Sequence, residues 1–487
     1  MKGNDLKTMK TLVIVSTTPD ERAEMTLKTA KALGYYTVFC GDRPDDIIAE
    51  LADECHEIDW EDPSSLLKIT ADAKADGIVG LCDKAMIPVA RVSTELGLIG
   101  NSPESIEILL SKNKFRKLQK KAQVFCPGHV VVHNKEELDQ AALPLRFPLI
   151  VKPELCSSSF GQTVVNDMEE LKAAFSEASA NSRNGSVCVE EFIEHKSLRA
   201  RELDVFLLGD EIVWDGLRDS YRVERAPLRP IYDVYPAELT EEEAGRIKET
   251  VEAVLKESGV RIGHYNIEGY FTEDGDFFVI EINPRPSGYY NPQHIHYFCG
   301  VDLTKLLVTT AVGDNSYFES QKTLPKTRRN MITYSVFSDR EGILDHVYID
   351  PSLSDKLVEQ RYPLGRKDGK PVPDILTATR PLSIPVFEFE SKEETEKIRR
   401  EIDSLVYAVL KEEAESESDE PGEFGTEGES DEFGTEGESG EPGKSQAQVE
   451  SGEPGEFGAE DESDEFGTEG ESGEPGESQA LVEPGKS

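Results

Sequence analysis

The sequence predicts a mixed chain: an α/β part of parallel βαβ units, an α+β part of mostly antiparallel strands, and an acidic tail with no fold of its own. Three observations carry this. Short apolar runs alternate with helical patterns over the first third. Strands rich in β-branched and aromatic residues take over from Phe147. The negative charge gathers at one end.

The 487 residues carry a formal net charge of −43. Residues 412–487 contain 27 Asp or Glu and two Lys, a charge of −25, which leaves −18 on the other 411 residues. An acidic body with an acidic tail does not attract a nucleic-acid backbone or an anionic membrane surface. No run approaches the ~20 apolar residues of a membrane span. The polar opening and the short apolar run Thr11–Val15 do not read as a secretory signal. Seven cysteines stand singly with no CxxC, which fits reduced thiols and a cytoplasmic location.

Leu12–Val15 reads as a buried strand, Glu21–Gly34 as a helix with Met25, Leu27, Ala30 and Leu33 on one side, and Thr37–Cys40 as the next strand. Gly77–Gly80 and Leu98–Ile99 read as further strands, so residues 11–110 form βαβ units after a disordered start over residues 1–10. Ser16–Asp20 after the first strand lacks the glycine fingerprint of a dinucleotide fold. A Lys-rich helix, Ser111–Ala122, opens the second unit, residues 111–330. Its strands are Leu149–Val151, Val187–Val189, Leu203–Leu207, Ile212–Trp214, Gly269–Phe271 and Phe277–Ile280, with helices Glu169–Glu177 and Glu241–Ser258. The third unit, residues 331–411, has strands Ile332–Phe337 and Pro385–Phe389 and a helix Lys392–Leu410. The tail, residues 412–487, holds two 33-residue repeats, Ser418–Glu450 and Ser451–Glu483, identical at 28 of 33 positions. It lacks the apolar surface that would offset its ordering entropy and is expected to be disordered.

Four segments carry the chemistry. Asn266-Ile-Glu268 and Glu281-Ile-Asn283 fall on two strands of a hairpin turned at Asp274-Gly275. Side chains alternate along a strand, so Glu268, Glu281 and Asn283 share a face. Two carboxylates and an amide oxygen suit Mg²⁺ bridging nucleotide phosphates. Arg285, two residues further, is placed to hold a developing anion. Lys152 closes the apolar strand Leu149–Val151, and Ser157-Ser158-Ser159 follow in a small-residue loop that offers N–H and hydroxyl groups to phosphates. The remaining segments are Ser111-Lys-Asn-Lys114 and Val189-Glu190-Glu191-Phe-Ile193 with Glu202 beyond.

In this order the segments resemble the ATP-grasp superfamily, over roughly residues 11–410, and within it the branch of L-amino-acid and other carboxylate–amine ligases. The resemblance implies a pre-ATP-grasp βαβ domain, a two-lobed ATP-grasp domain and a small C-terminal subdomain. It makes Lys114 and Lys152 the nucleotide lysines, and Glu190, Glu191 and the Ile193 backbone the adenine hinge. It makes Glu202 the ribose acid, and Glu268, Glu281 and Asn283 the ligands of two Mg²⁺ ions, with Mn²⁺ as a substitute. It makes Arg285 the catalytic arginine. It implies ATP as cosubstrate, a carboxylate activated as acyl phosphate, an amine as acceptor, release of ADP and phosphate, and, at family level, a homodimer. A biotin-carboxylase-like enzyme and a nucleotide-binding scaffold with a recruiting tail are the alternatives. Arg218, Arg222, Arg225 and Arg229 read either as carboxylate binders or as a solvated loop. His294 and His296 read as a packed substrate-side loop ahead of a metal pair, and His264 stays open between site and core.

Overall fold

The computed structural model describes residues 9–411, except 44–46, 61, 143, 156–160, 194–197, 215, 227–228, 324–326, 365–370, 377 and 379. The repeat tail, most of the expected disordered start and Ser157–Ser159 lie outside the described residues.

The chain opens with a four-stranded parallel sheet, order β3-β2-β1-β4, made of β1 (Thr11–Val15), β2 (Tyr36–Gly41), β3 (Glu54–Glu57) and β4 (Gly77–Gly80). Helices α1 (Glu21–Ala32) and α2 (Pro63–Asp72) lie between β1 and β2 and between β3 and β4, and α3 (Asp83–Leu96) follows β4. Asp20 starts α1 by accepting from the Arg22 N–H, satisfying one of the free donors of the first turn. Leu98 and Ile99, expected as a strand, lie instead in the loop that follows the left-handed Gly97 cap of α3. The run is too short to displace that cap.

Helices α4 (Pro103–Leu110) and α5 (Lys112–Lys121) lead to a second sheet. It holds β5 (His129–Val132), β6 (Leu149–Pro153), β7 (Thr163–Val165) and β8 (Val187–Glu191) in the order β5-β8-β6-β7, all antiparallel. Helices α6 (Lys135–Ala142) and α7 (Met168–Asn181) cover one face through a core that includes Val151, Val189, Leu171 and Phe175. By alternation Lys152 and Glu190 stand on the other face.

The large sheet follows. It contains β9 (Arg199–Leu208), β10 (Glu211–Val213), β11 (Arg218–Tyr221), β12 (Tyr232–Tyr235), then after helix α8 (Glu241–Ser258) the hairpin β13 (Ile262–Phe271) and β14 (Phe277–Asn283). Helices α9 (Asn291–Cys299), α10 (Leu303–Ala311) and α11 (Ser316–Gln321) precede β15 (Asn330–Tyr334). β17 (Leu357–Arg361) and β19 (Ile384–Phe389) complete the large sheet, while β16 (Gly342–Ile349), β18 (Pro371–Val372) and, after helix α12 (Lys392–Leu405), β20 (Val406–Leu410) form a separate three-stranded sheet of order β18-β16-β20. The order β14-β13-β9-β11-β12-β15-β19-β17 runs straight across residue 330, so the boundary read from the sequence falls inside a sheet. The helix expected over Lys392–Leu410 ends at Leu405. The run Val-Tyr-Ala-Val-Leu, rich in β-branched and aromatic residues, pairs with β16 as a strand.

One face of the large sheet is sealed. Leu203, Val205, Ile267 and Ile282 pack with Ile247, Val251 and Val254 of α8 and with Phe115 and Leu118 of α5. A capping box between Thr240 and Glu243 starts α8, and Gly259 ends it at φ +80°. The residues that alternate with this apolar set must face the other way.

Candidate active site

Those alternating residues form two rows of cross-strand partners. Glu202 of β9 is opposite Glu268 of β13, and Glu268 is opposite Glu281 of β14. Asp204, Asn266 and Asn283 form the next row. The register breaks just after Glu268 at Gly269. A Cβ there would lie 2.6 Å from both the Phe277 ring and the Phe278 carbonyl, so only glycine lets the hairpin close this tightly. At the hairpin's tip Gly275 takes φ +83°.

The sequence-predicted metal set therefore meets. The Asn283 Nδ2 donates to Glu281 Oε1 at 2.9 Å and to Asn266 Oδ1 at 3.3 Å. Glu268 takes an ion pair from the Arg222 guanidinium. Burial pushes the Glu268 carboxyl up, Arg222 opposes this, and the carboxylates of Glu202 and Glu281 raise it further. Three carboxylates in register are short of positive charge. Among the described residues no group of three or more His, Cys, Asp or Glu side chains forms a metal cage by itself. Two carboxylates and an amide instead fit an ion that takes its other oxygens from phosphates and water, as Mg²⁺ does.

Cationic side chains come from the second sheet and from α5. Lys152 Nζ donates to Glu190 Oε2 at 2.7 Å. Arg116 of α5 grips the same carboxylate in a fork, Nε to Oε1 at 2.9 Å and Nη2 to Oε2 at 3.1 Å. Its Nη1 reaches the Ile280 carbonyl of β14 at 2.9 Å, so one guanidinium ties the second sheet to the hairpin. Burial would raise the Glu190 carboxyl, but Arg116 and Lys152 hold it well below the ordinary range. The Tyr270 hydroxyl of β13 donates to the Ile193 carbonyl at 2.8 Å, a second tie between the same two regions.

Several expectations need correction. Lys114 is exposed and pairs with Glu107 at 2.8 Å. Lys112, two residues earlier on the helix, is the lysine that feels Glu281, Lys152 and Glu190, and burial lowers its ammonium. Positions i and i+2 of a helix point apart, so both lysines cannot serve one site. Arg116 is four residues on from Lys112 and shares its side of α5. The Glu190 carboxylate is taken up by Arg116 and Lys152 and has no free oxygen for an adenine. Glu191 is held by Arg146, whose Nε donates to it at 3.1 Å. Glu202 accepts from Arg218 Nη2 through Oε2 at 2.7 Å and stands in the carboxylate row. Arg285 Nε donates to Asp83 Oδ1 at 3.0 Å, which fastens the arginine to the start of α3. The Arg285 and Arg22 guanidiniums hold Asp83 below the ordinary range against its burial.

The four arginines do not make one basic loop. Arg218 is fully buried and Arg222 sits on Glu268, whereas Arg225 is exposed and Arg229 stacks on Phe337 with its centre 5.0 Å from the ring. His294 is buried and its neighbour-but-one His296 is exposed, so the pair does not share a metal. His264 is a core residue of the site, with Nε2 2.7 Å from Asp204 Oδ1.

Sequence comparison adds to this geometry. Residues 118–290 match the family described as D-ala D-ala ligase C-terminus. This segment is an ATP-grasp domain. An uncharacterized protein of Sinorhizobium fredii (strain NBRC 101917 / NGR234) is 27% identical over 276 residues, 56% of this chain and 55% of that protein. The carbamoyl phosphate synthase large chain of Thermoanaerobacter sp. (strain X514) is 28% identical over 267 residues, 54% of this chain and 24% of that protein. The chain thus spans about half the length of the first relative and a quarter of the second. Among solved structures, the L-amino acid ligase from Bacillus licheniformis superposes with a TM-score of 0.70 at 18% identity, over 83% of this chain and 99% of that one. The biotin carboxylase domain of Hydrogenobacter thermophilus 2-oxoglutarate carboxylase, solved with ADP, its magnesium salt and bicarbonate, gives 0.63 at 17% identity, over 82% and 90%. These likenesses show a shared fold over 82–83% of the chain.

Proposed function

We propose that the protein is an ADP-forming carboxylate–amine ligase that uses Mg²⁺–ATP. The observation that carries this reading is the pairing of a carboxylate row, Glu202–Glu268–Glu281 with Asn283, and a cationic set, Lys112, Lys152 and Arg116, around one ATP-grasp core. Lys112 and Lys152 hold the α- and β-phosphate oxygens and align the γ-phosphoryl group. Glu268, Glu281 and Asn283 hold two Mg²⁺ ions, which when bound neutralise the β- and γ-phosphates. A substrate carboxylate oxygen attacks the γ-phosphorus and ADP leaves. The amine then attacks the acyl carbon and phosphate leaves with the former carboxylate oxygen. Arg285, kept in place by Asp83, stabilises the oxyanion of that second step. The adenine is read at the Ile193 backbone, since the side chains of Glu190 and Glu191 and the N–H groups of Glu191 and Phe192 are already paired.

Residues 11–110, 111–330 and 331–411 act as the pre-ATP-grasp, ATP-grasp and C-terminal parts of this enzyme. Its substrates are small molecules. Among the described residues no helix is long and apolar enough to cross a membrane. The test is release of ADP and phosphate from Mg²⁺–ATP with pooled amino acids. Substrate-dependent release that disappears in Glu281→Ala supports the ligase. Release that is independent of any added carboxylate, or unchanged in the variant, contradicts it.

A further inference from the structure

The strand that carries Glu268 also carries a histidine on the same face, four residues back. Glu268 and Asn266 of β13 pair with Glu281 and Asn283 of β14. The same register carried two residues on sets His264 level with Arg285. His264 is 2% exposed, and its Nε2 lies 2.7 Å from Asp204 Oδ1. Against its burial, Arg218 and His264 hold the Asp204 carboxyl well below the ordinary range. An ionised carboxylate only accepts, so Nε2 is assigned as the protonated nitrogen of the ring. Asp204 is fixed in turn by Arg218 Nη1 at 2.8 Å and by the Ser287 N–H at 3.2 Å. The other ring nitrogen, His264 Nδ1, is buried and has no hydrogen-bond partner.

His264 and Arg285 both line a cavity of about 70 Å³. Much of its remaining wall is apolar and comes from the end of β4 and from α3, α4 and α10, with Met86, Ala90, Ile106 and Leu307 among the residues. The polar side chains in that wall are spent. The Ser93 and Thr310 hydroxyls donate to carbonyls of their own helices, and Asn101 uses its amide on the backbone of Arg261 and Ile262. Among the described residues no acid or lysine lines the cavity, so His264 and Arg285 are its titratable groups, with Asp204 behind the first and Asp83 behind the second. A buried nitrogen without a partner costs free energy unless an occupant meets it. On the scale where one water needs about 10–15 Å³, the space takes a chain of roughly four or five heavy atoms.

We propose that this cavity receives the carbon chain of the amine substrate and that His264, oriented by Asp204, is the general base for its attack. The amine arrives as an ammonium ion. His264 Nδ1 takes one of its protons and becomes an imidazolium, whose charge Asp204 balances. The freed lone pair forms the C–N bond at the acyl carbon, and Arg285 holds the oxyanion. The bond from that carbon to the phosphate oxygen then breaks, and the second proton lost from nitrogen leaves with the phosphate. The apolar wall selects an uncharged chain on the amine. This inference rests on the ligase reading and assigns the base and the acceptor pocket of its second step.

The test uses the full chain with Mg²⁺–ATP, pooled amino acids as carboxylates, and acceptors added at neutral pH. Two kinds of acceptor are compared. The n-alkylamines from methylamine to pentylamine are ammonium ions at this pH, whereas hydroxylamine is unprotonated and needs no base. Amide and hydroxamate are counted by mass spectrometry beside the ADP released. Amide formation rises about fourfold per added methylene up to butylamine or pentylamine. His264→Gln lowers the ratio of butylamine to hydroxylamine turnover by about 100-fold or more. Ala90→Leu narrows the cavity from α3 and lowers that ratio at least tenfold, so the pocket stays testable if His264→Gln does not fold. A flat response to chain length, or a wild-type ratio in either folded variant, overturns the proposal and leaves ordered water as the partner of His264. Hydroxamate formed without any alkyl amide also overturns it and keeps the ligase. No ADP release with any acceptor removes the ligase reading and this inference with it.

Discussion

The two sheets that face the candidate site handle their buried charge in opposite ways. On the smaller sheet the ions are matched: Glu190 is enclosed between Arg116 and Lys152 and stays ionised. On the large sheet they are not: Glu202, Glu268 and Glu281 stand in one row, Arg222 pairs with Glu268, Arg218 is divided among Glu202, Asp204 and Asp233, and Lys112 acts on Glu281 from α5. The matched set needs no ligand and works as a structural tie. The unmatched row gains most from an added divalent cation, and the proposed ligase reaction is assigned to it.

The largest expected effect follows from the unmatched row. Glu281→Gln removes one charge from it and lowers ATP turnover by roughly 10³-fold or more, with little change in thermal midpoint, by ADP-release kinetics and calorimetry. In the matched set the expectation reverses. Arg116→Met leaves Glu190 buried with Lys152 alone and destabilises the fold by about 3–5 kcal/mol, read from urea unfolding. If Glu281→Gln unfolds the protein while Arg116→Met leaves it intact, the contrast between the sheets is wrong.

Acid sharpens the same contrast. Glu190 is held below its ordinary value in the folded chain. The unfolded chain therefore takes up a proton first as pH falls through about 4.3. The stability from this group is complete above that pH and declines below it. Glu190→Gln flattens that acid limb in urea midpoints measured between about pH 3 and 6. A smaller effect separates the two lysines of α5. Lys112→Ala raises the KM for ATP by about 10- to 100-fold, and Lys114→Ala changes it less than about twofold, since an exposed pair such as Lys114–Glu107 contributes little. The reverse order would return the nucleotide contact to Lys114.

The large-sheet hairpin was legible because strand alternation is rigid. Once Phe277–Asn283 is a strand, Glu281 and Asn283 must share a face, and the turn at Gly275 brings Glu268 beside them. The parallel sheet and the helix Glu241–Ser258 were legible for the same kind of reason, a strong period bounded by capping residues. The lysine of α5 was not. Four basic residues in Lys112–Lys117 fit several faces of a helix, and only the packing of Phe115 and Leu118 into the core fixes which one turns inward. Arg116 could have been found as the residue one turn from Lys112. The partners of Arg222 and Arg285, Glu268 and Asp83, lie 46 and 202 residues away, and no local pattern encodes them. The strand at Val406–Leu410 was hidden because its pairing partner, β16, is distant in sequence and its register depends on tertiary contact.

The most direct measurement follows oxygen. Amino acids labelled with ¹⁸O in the carboxylate are incubated with Mg²⁺–ATP and the protein, and the released phosphate is weighed by mass spectrometry. Attack of the carboxylate on the γ-phosphorus predicts one ¹⁸O in each phosphate, with an equal amount of amide product. Unlabelled phosphate released in the presence of the same amino acids would mean that water, not a carboxylate, is the acceptor, and would contradict the ligase assignment.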